Sequence, residues 1–230
     1  MKRWAAFFDE GRFGLPRRLK DRDVVFSRGD SALHAYVLRR GAVEILQPAD
    51  DGRCVLVKVL VGPCLFGVIE QLGCADVYLE TVHALGSADV VSIEGAAFSA
   101  MLQTDAAISY ECLVDVGTAF CVAARQESAR LHSLEAQAAS VLLAWGDATG
   151  EKTPAGIRLG VKRSQEDLAA AVGCSERSIT RILADWKKRN IVDKSAGRMT
   201  LVDSEALGTQ AGALRDSLVH RLPVIRVRAA

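Results

Sequence analysis

The stretch Ser164-Gln165-Glu166-Asp167-Leu168-Ala169-Ala170-Ala171-Val172-Gly173-Cys174-Ser175-Glu176-Arg177-Ser178-Ile179-Thr180-Arg181-Ile182-Leu183, continuing to Trp186 and Asn190, decides how this chain is read, because it spells two short helices joined by a tight turn. Ser164 stands where a helix N-cap belongs, and Asp167, three positions on, completes a capping-box pattern. Leu168 and Val172 fall four apart on one face, and Gly173 ends the helix. Ser175 caps the next one. There Ile179, Ile182, Leu183 and Trp186 recur at helical spacing and leave Glu176, Arg177, Thr180 and Arg181 on the opposite, exposed side. That is a helix-turn-helix pattern. In such pairs the start of the second helix enters the DNA major groove, where arginine donates two bonds to guanine and glutamate accepts from cytosine.

A capped amphipathic pair with a glycine turn also occurs in bundles that never touch nucleic acid, so charge has to discriminate. Between Glu151 and Thr200 eleven lysines and arginines stand against six acids, an excess of +5, while the whole chain carries only +1. Positive charge is therefore concentrated on this segment, as phosphate attraction requires. Ser164, Ser175, Ser178, Lys187 and Lys188 are the candidates for positioning on the DNA backbone, and Glu176, Arg177, Thr180 and Arg181 for base contacts. Thr180 also suits a thymine methyl or a phosphate. Glu176 has two readings, cytosine recognition or a favourable charge at a helix N-terminus. Residues 156–161 and 198–202 flank the pair as short strands, the second after a Ser195-Ala196-Gly197 turn, which makes a winged helix-turn-helix.

The chain has 230 residues, 50% hydrophobic and 25% charged, which suits two modest globular domains. No run approaches the eighteen or so apolar residues of a membrane span, and Asp9 and Glu10 stand where a signal peptide needs an apolar core. The expectation is a cytoplasmic protein. Six cysteines, Cys54, Cys64, Cys74, Cys112, Cys121 and Cys174, contain no C-x-x-C pair and read as reduced thiols. Residues 1–53 lack cysteine, which excludes an N-terminal iron-sulfur cysteine cluster.

From Asp23 to about Ile93 short apolar or alternating runs are punctuated by glycine. Strands are predicted at Val24–Phe26, Ala35–Leu38, Ala42–Leu46, Cys54–Leu60 and Glu80–Ala84, with turns at residues 28–30, 40–41, 50–52 and 61–63. This regular spacing predicts an antiparallel barrel or jelly roll. After Ile93 the pattern turns helical. Ile108, Cys112, Asp115, Ala119, Val122, Gln126, Ala129 and Leu134 follow a three-and-four spacing that predicts a long helix over 104–145, broken near Ser133, with a seam for dimerisation or for packing on the barrel. The fold class is thus α+β: residues 1–103 a barrel, 104–145 a connector and candidate dimerisation helix, 146–230 a winged helix-turn-helix with a C-terminal extension.

A barrel, a connecting helix and a C-terminal winged helix in that order resemble the cAMP receptor protein/FNR (Crp/Fnr) family of bacterial transcription regulators. The resemblance is carried by Ser27-Arg28-Gly29-Asp30, by Tyr36-Val37-Leu38-Arg39-Arg40-Gly41-Ala42-Val43-Glu44, and above all by the two helices quoted first. It implies that the barrel is a cyclic-nucleotide-binding-like sensor, in a non-enzymatic, homodimeric regulator that binds double-stranded DNA at a two-fold symmetric operator. An effector in the barrel would act through the connector on the recognition helix, and RNA polymerase would be a partner if the protein activates.

The effector is where this sequence departs from the family pattern. Cyclic-nucleotide binders hold the phosphate with a short helix opened by Gly-Glu-Leu and a downstream Arg-Ser or Arg-Thr. Here Gly67 is present, but the glutamate position falls on Val68 and the Arg-Ser pair on Tyr78-Leu79, so both anchoring side chains are missing and cAMP or cGMP is disfavoured. The connector Thr-Ser that recognises the purine falls near Ala124-Arg125; Arg125 suits either an anion or a surface ion pair. Other sensing chemistries are a haem on His83 with Cys74 as second ligand, weighed against a structural histidine, and a thiol switch, weighed against buried apolar cysteine. Cys112 and Cys121 are half a turn out of phase and do not pair within one continuous helix. Cys174 in the turn is expected to pack. The competing classes are a ligand-independent regulator and a cupin-type metalloenzyme. The latter needs a His-x-His that His34 and His83, standing alone, do not supply. Within the recognition helix Glu176-Arg177 inverts the family's common Arg-Glu order, so operator preference differs.

Overall fold

The computed structural model describes residues 16–48, 54–106, 132–195, 197–215 and 218–220, together with 108–110, 112–114, 116–117 and 120. The N-terminal strands are β1 (Arg17–Leu19), β2 (Val24–Phe26), β3 (His34–Pro48), β4 (Cys54–Val61), β5 (Cys64–Phe66) and β6 (Thr81–Glu94). With β11 (Val219–His220) they form a seven-stranded sheet in the order β1-β6-β3-β4-β11, β2 pairing β6 and β5 pairing β3. The arrangement is that of a jelly roll whose sheet stays open among the described residues, and not of a closed barrel.

Two of the expected strands are one. The turn predicted at Arg40-Gly41 is a bulge in the 15-residue β3, which pairs antiparallel with β6 on both sides of it, from His34 opposite Glu94 to Leu46 opposite Thr81. Gly41 lies at φ +84, and a Cβ there would sit 2.1 Å from the Ser87 carbonyl oxygen. The glycine bends the strand without reversing it.

Alternation along these strands gives the sheet two faces. Val43, Ile45, Leu60 and Val82 enter the N-terminal core with Phe26, Phe66 and Tyr78. Ala42, Leu56, Val59 and Leu85 face the other way, into a core shared with the C-terminal half. Here lies α2 (Leu134–Thr149), preceded by α1 (Gly95–Thr104). Ser133 caps α2 by accepting from the Ala136 N–H, and ten successive or near-successive residues from Ala136 to Gly146 are buried. A helix apolar on all sides is one enclosed by protein.

The helix expected over 104–145, with a break near Ser133, falls into separate segments. α1 ends at Thr104, the described residues from 106 to 120 are again helical, and α2 starts afresh after Ser133. The first two members of the expected seam, Ile108 and Cys112, face inward against Phe98 and Val91. The exposed apolar side chains of this helix are instead Tyr110, Leu113 and Phe120. Asp115, Ala119, Cys121, Val122, Ala124, Arg125, Gln126 and Ala129 lie outside the described residues.

The winged helix-turn-helix comprises β7 (Glu151–Thr153), β8 (Gly156–Arg158), α3 (Gln165–Val172), α4 (Glu176–Lys188), β9 (Val192–Ser195), β10 (Arg198–Leu201) and α5 (Ser204–Ala211). Its strands form one antiparallel sheet, β7-β8-β10-β9, with the β9–β10 hairpin as the wing.

Candidate nucleic-acid interface and effector cavity

The helix pair forms from its local signals. Ser164 Oγ accepts from the Asp167 N–H at 3.0 Å while Asp167 Oδ2 accepts from the Ser164 N–H at 2.7 Å, a complete capping box. Gly173 takes the left-handed conformation, φ +77, that ends α3. Ser175 Oγ accepts from the Ser178 N–H and lies 2.9 Å from Ser178 Oγ, so Ser164, Ser175 and Ser178 all have structural work at the caps. Cys174 is buried in the turn.

On α4 the stripe Ile179, Ile182 and Trp186 is buried and fixes the rotation of the helix. Glu176, Arg177, Thr180, Arg181, Lys187 and Lys188 are exposed on its outer side. Lys187 reaches Asp193 of β9 at 3.3 Å, and Thr180 Oγ1 lies 2.7 Å from Gln165 Oε1. Gln165, at the first turn of α3, thus joins the exposed surface beside the recognition helix, although nothing in its spacing singled it out. Arg198 is turned away from this surface, donating to the carbonyls of Leu159 and Gly160. The arrangement presents two arginines and a glutamate at the start of a capped helix, with lysines toward its end, on a scaffold held by apolar packing.

A second site lies in the N-terminal domain. A cavity of about 90 Å³ is lined by Phe26, Ile45, Leu60, Phe66, Gly67, Val68 and Val82, by the charged Lys58, Glu70 and Glu80, and by Val116 of the connector. Pockets for nucleotide-sized ligands run to roughly 300 Å³ and more, so this one is small. Of the sequence-derived pocket residues, Gly67 (φ +62) and Val68 line it. Tyr78 is a core residue: its ring stacks on Phe26 with centroids 3.8 Å apart and its hydroxyl donates to the His34 carbonyl at 2.8 Å. Leu79 is exposed, its N–H donating to Glu70 Oε1 at 3.3 Å. Arg125 lies outside the described residues. Burial pushes the Glu80 carboxyl up from its ordinary pKa, against the pull of Lys58. Lys58, Glu70, Glu80 and Val116 went unread in the sequence; the one visible signal was a lysine inside the apolar run 54–61.

Between the two sites lies a buried polar cluster. Arg163, immediately before the α3 cap, is 3% exposed. It donates to Asp21 at 2.8 and 3.1 Å and to Glu44 Oε2 at 3.2 Å, while Glu44 Oε1 accepts from the Trp145 indole N–H at 2.6 Å. Burial raises the Glu44 pKa, Arg163 and the Trp145 bond opposing it. Asp21 is buried less, and the hydrogen bonds from Arg163 and the Gly86 N–H outweigh that burial and hold its carboxyl below the ordinary value. Nearby, Arg22 reaches Asp167 of the capping box at 2.7 Å. His83 lies opposite Glu44 in the β3–β6 ladder, on this face and not in the cavity. Burial, with Arg22 and Arg163 close by, lowers its pKa.

Comparison with known proteins agrees with this architecture. Residues 16–105 match the cyclic nucleotide-binding domain and residues 136–209 the Crp-like helix-turn-helix domain, together more than half of the chain. The transcriptional regulator LdrP of Thermus thermophilus is 25% identical over 206 residues, 86% of this chain and 97% of that protein. The global nitrogen regulator of a Synechocystis species is 25% identical over 194 residues, 81% of this chain and 84% of that protein. The crystal structure of a CRP-family transcriptional regulator from Thermus thermophilus shares the fold with a TM-score of 0.72 at 23% identity, over 85% of this chain and 96% of that one. With both domains matched in the family's order, the chain belongs to the cAMP receptor protein/FNR family: a transcription regulator with a DNA-binding helix-turn-helix, not an enzyme.

Proposed function

We propose that this protein acts as a homodimer that reads a two-fold symmetric operator, with α4 of each protomer in the major groove. The observation that carries this reading is the outer face of α4, where Glu176, Arg177 and Arg181 stand exposed over a buried Ile179-Ile182-Trp186 stripe. Arginines at this end of the helix suit guanine edges, and Lys187 and Lys188 suit phosphates further along. The dimer is built on the connector, whose exposed Tyr110, Leu113 and Phe120 need a cover that a second copy of the same helix provides.

The effector sits in the N-terminal cavity and acts on the connector through Val116, which lines it. A cyclic nucleotide does not suit this cavity, because the carboxylates of Glu70 and Glu80 stand beside Lys58 in its lining and repel a phosphate, and the free volume is small. No helix among the described residues is long and apolar enough to cross a membrane. The protein works in the cytoplasm, with RNA polymerase as a further partner where it activates.

The test is selection of a binding site from randomised duplex DNA, followed by gel shifts at several salt concentrations. A two-fold symmetric site bound with a steep negative dependence on salt is the expected result. Failure to enrich any sequence would sink the proposal.

A further inference from the structure

The strands β3, β4 and β6 form a wall one residue thick between the effector cavity and the reading head. Ile45, Leu60 and Val82 line the cavity. Their chain neighbours Glu44 and Val59, and His83 next to Val82, face the C-terminal half on the other side. Glu44 is the residue of this wall that grips the reading head, through Trp145 of α2 and Arg163 at the entrance to α3. Asp21 takes the other side of the same guanidinium, and Arg22 grips Asp167 one helical turn further on. The Arg163 side chain is nine-tenths or more buried, and among the described residues its hydrogen bonds go to Asp21 and Glu44 of the N-terminal domain and to the carbonyl of its neighbour Lys162, with the Trp145 ring 5.6 Å away. It therefore reaches no phosphate.

We infer that Arg163 is a positioning residue for operator binding, and that its Glu44 anchor carries the state of the cavity to the reading head through the sheet, a route that does not pass through Val116. A planar guanidinium held by two carboxylates fixes direction as well as distance. The head is thereby set at one angle to the N-terminal domain. Two heads set in this way meet half-sites one helical turn apart without an ordering cost, whereas loosely tethered heads must pay it on binding. Non-specific DNA, which asks for charge and not for spacing, gains nothing from the same constraint. On the cavity side, a group that fills the space beside Ile45 shifts β3, and Glu44 with it. This inference rests on the proposed function above for the two ends of the route, not for the tie itself.

The test uses the full-length protein and an operator selected from random duplexes. Arg163→Lys keeps the charge and loses the fork; Glu44→Gln keeps the Trp145 bond and loses the ion pair; Arg22→Ala, on an exposed side chain, covers the case that the buried variants fail to fold. The expected result is a tenfold or greater loss of operator affinity in each buried-cluster variant with a cooperative melt, and a smaller loss in Arg22→Ala. Affinity for non-specific DNA and the slope of log affinity against log salt should stay within twofold and one unit. The Trp145 indole N–H resonance, assigned with Trp145→Phe, should move in the Arg163 and Glu44 variants and also in the cavity-filling Val68→Phe. Folded variants with unchanged or higher operator affinity, or an equal loss on both kinds of DNA, overturn the positioning role. An unmoved Trp145 resonance in Val68→Phe overturns the route through the sheet. Failure to select any operator strikes the proposed function instead, and leaves the resonance experiment to judge the route.

Discussion

Arg181 and Lys188 lie on the same helix with the same charge, yet they should fail differently when removed. Arg181 stands in the first half of α4, exposed beside Arg177, where a base edge comes within reach. Arg181→Ala should weaken operator binding by about 1 to 3 kcal/mol, roughly fivefold to 150-fold, and relax the preference at one base pair in each half-site. Lys188→Ala should weaken operator and random DNA alike and lower the salt slope by about one. Titrations of both DNAs at three salt concentrations separate the two outcomes. Such contacts are legible from sequence because a helix face follows directly from residue spacing. Arg163 shows the opposite case: it counts among the eleven bases of its segment, but it is enclosed by Asp21 and Glu44, more than a hundred residues away. Local pattern carries no information about a pairing of that span, so its charge counts toward the segment's excess of +5 when it is an internal tie. Tyr78 is similar. Its place in the gapless family register suggests a pocket wall, while its ring is spent on Phe26 and its hydroxyl on His34.

Elements whose signals lie within one turn of chain are legible in the sequence. The Ser164 capping box, Gly173 in the left-handed region and the Ser175 cap all depend on neighbours three or four positions away, and α3 and α4 start and end as they direct. β3 was misread for the converse reason. A glycine after two arginines looks like a turn, and only the partner strand β6, which continues past it, makes it a bulge. Of the two covers expected for the connector's seam, its first two members take the barrel. Cys112 and Ile108 satisfy a seam at the right spacing, but they bury against Phe98 and leave the face with Tyr110, Leu113 and Phe120 outside. Three-and-four spacing identifies an apolar stripe without saying which of two covers it takes. The exposed stripe is the one a dimer has to cover. The double change Leu113→Glu with Phe120→Glu should therefore raise the dissociation constant of the dimer by more than tenfold, with the monomer still folded, as sedimentation equilibrium can measure. A dimer of unchanged strength would move the interface elsewhere.

At the scale of the whole molecule, the two halves share a core as well as a polar cluster, so the pH response of that cluster belongs to the assembly and not to either half. β11 reinforces this by adding a parallel strand to β4 from the far end of the chain. The histidine of this cluster is His83, faced by Arg22 and Arg163 and set opposite Glu44 in the ladder. Its pKa is depressed by burial first and by the two guanidinium groups next, so the unfolded chain takes up a proton before the folded one does. The stability it lends is present above the unfolded value of about 6.5 and is lost as pH falls through the lower folded value. Glu44 has the opposite sign: its carboxyl is raised, so protonation relieves a cost as pH falls through its folded value. Asp21 and Asp167 are depressed and matter only below about 4, where their contribution is lost. Between pH 7.5 and 5.5 the difference in urea midpoint between wild type and His83→Asn isolates the histidine from Glu44, and wild type should lose its advantage as pH falls. The variant should show a flatter profile over that window. If the two profiles run parallel, His83 is not neutralised by its place between the halves, and the electrostatic coupling across the sheet is weaker than its geometry implies.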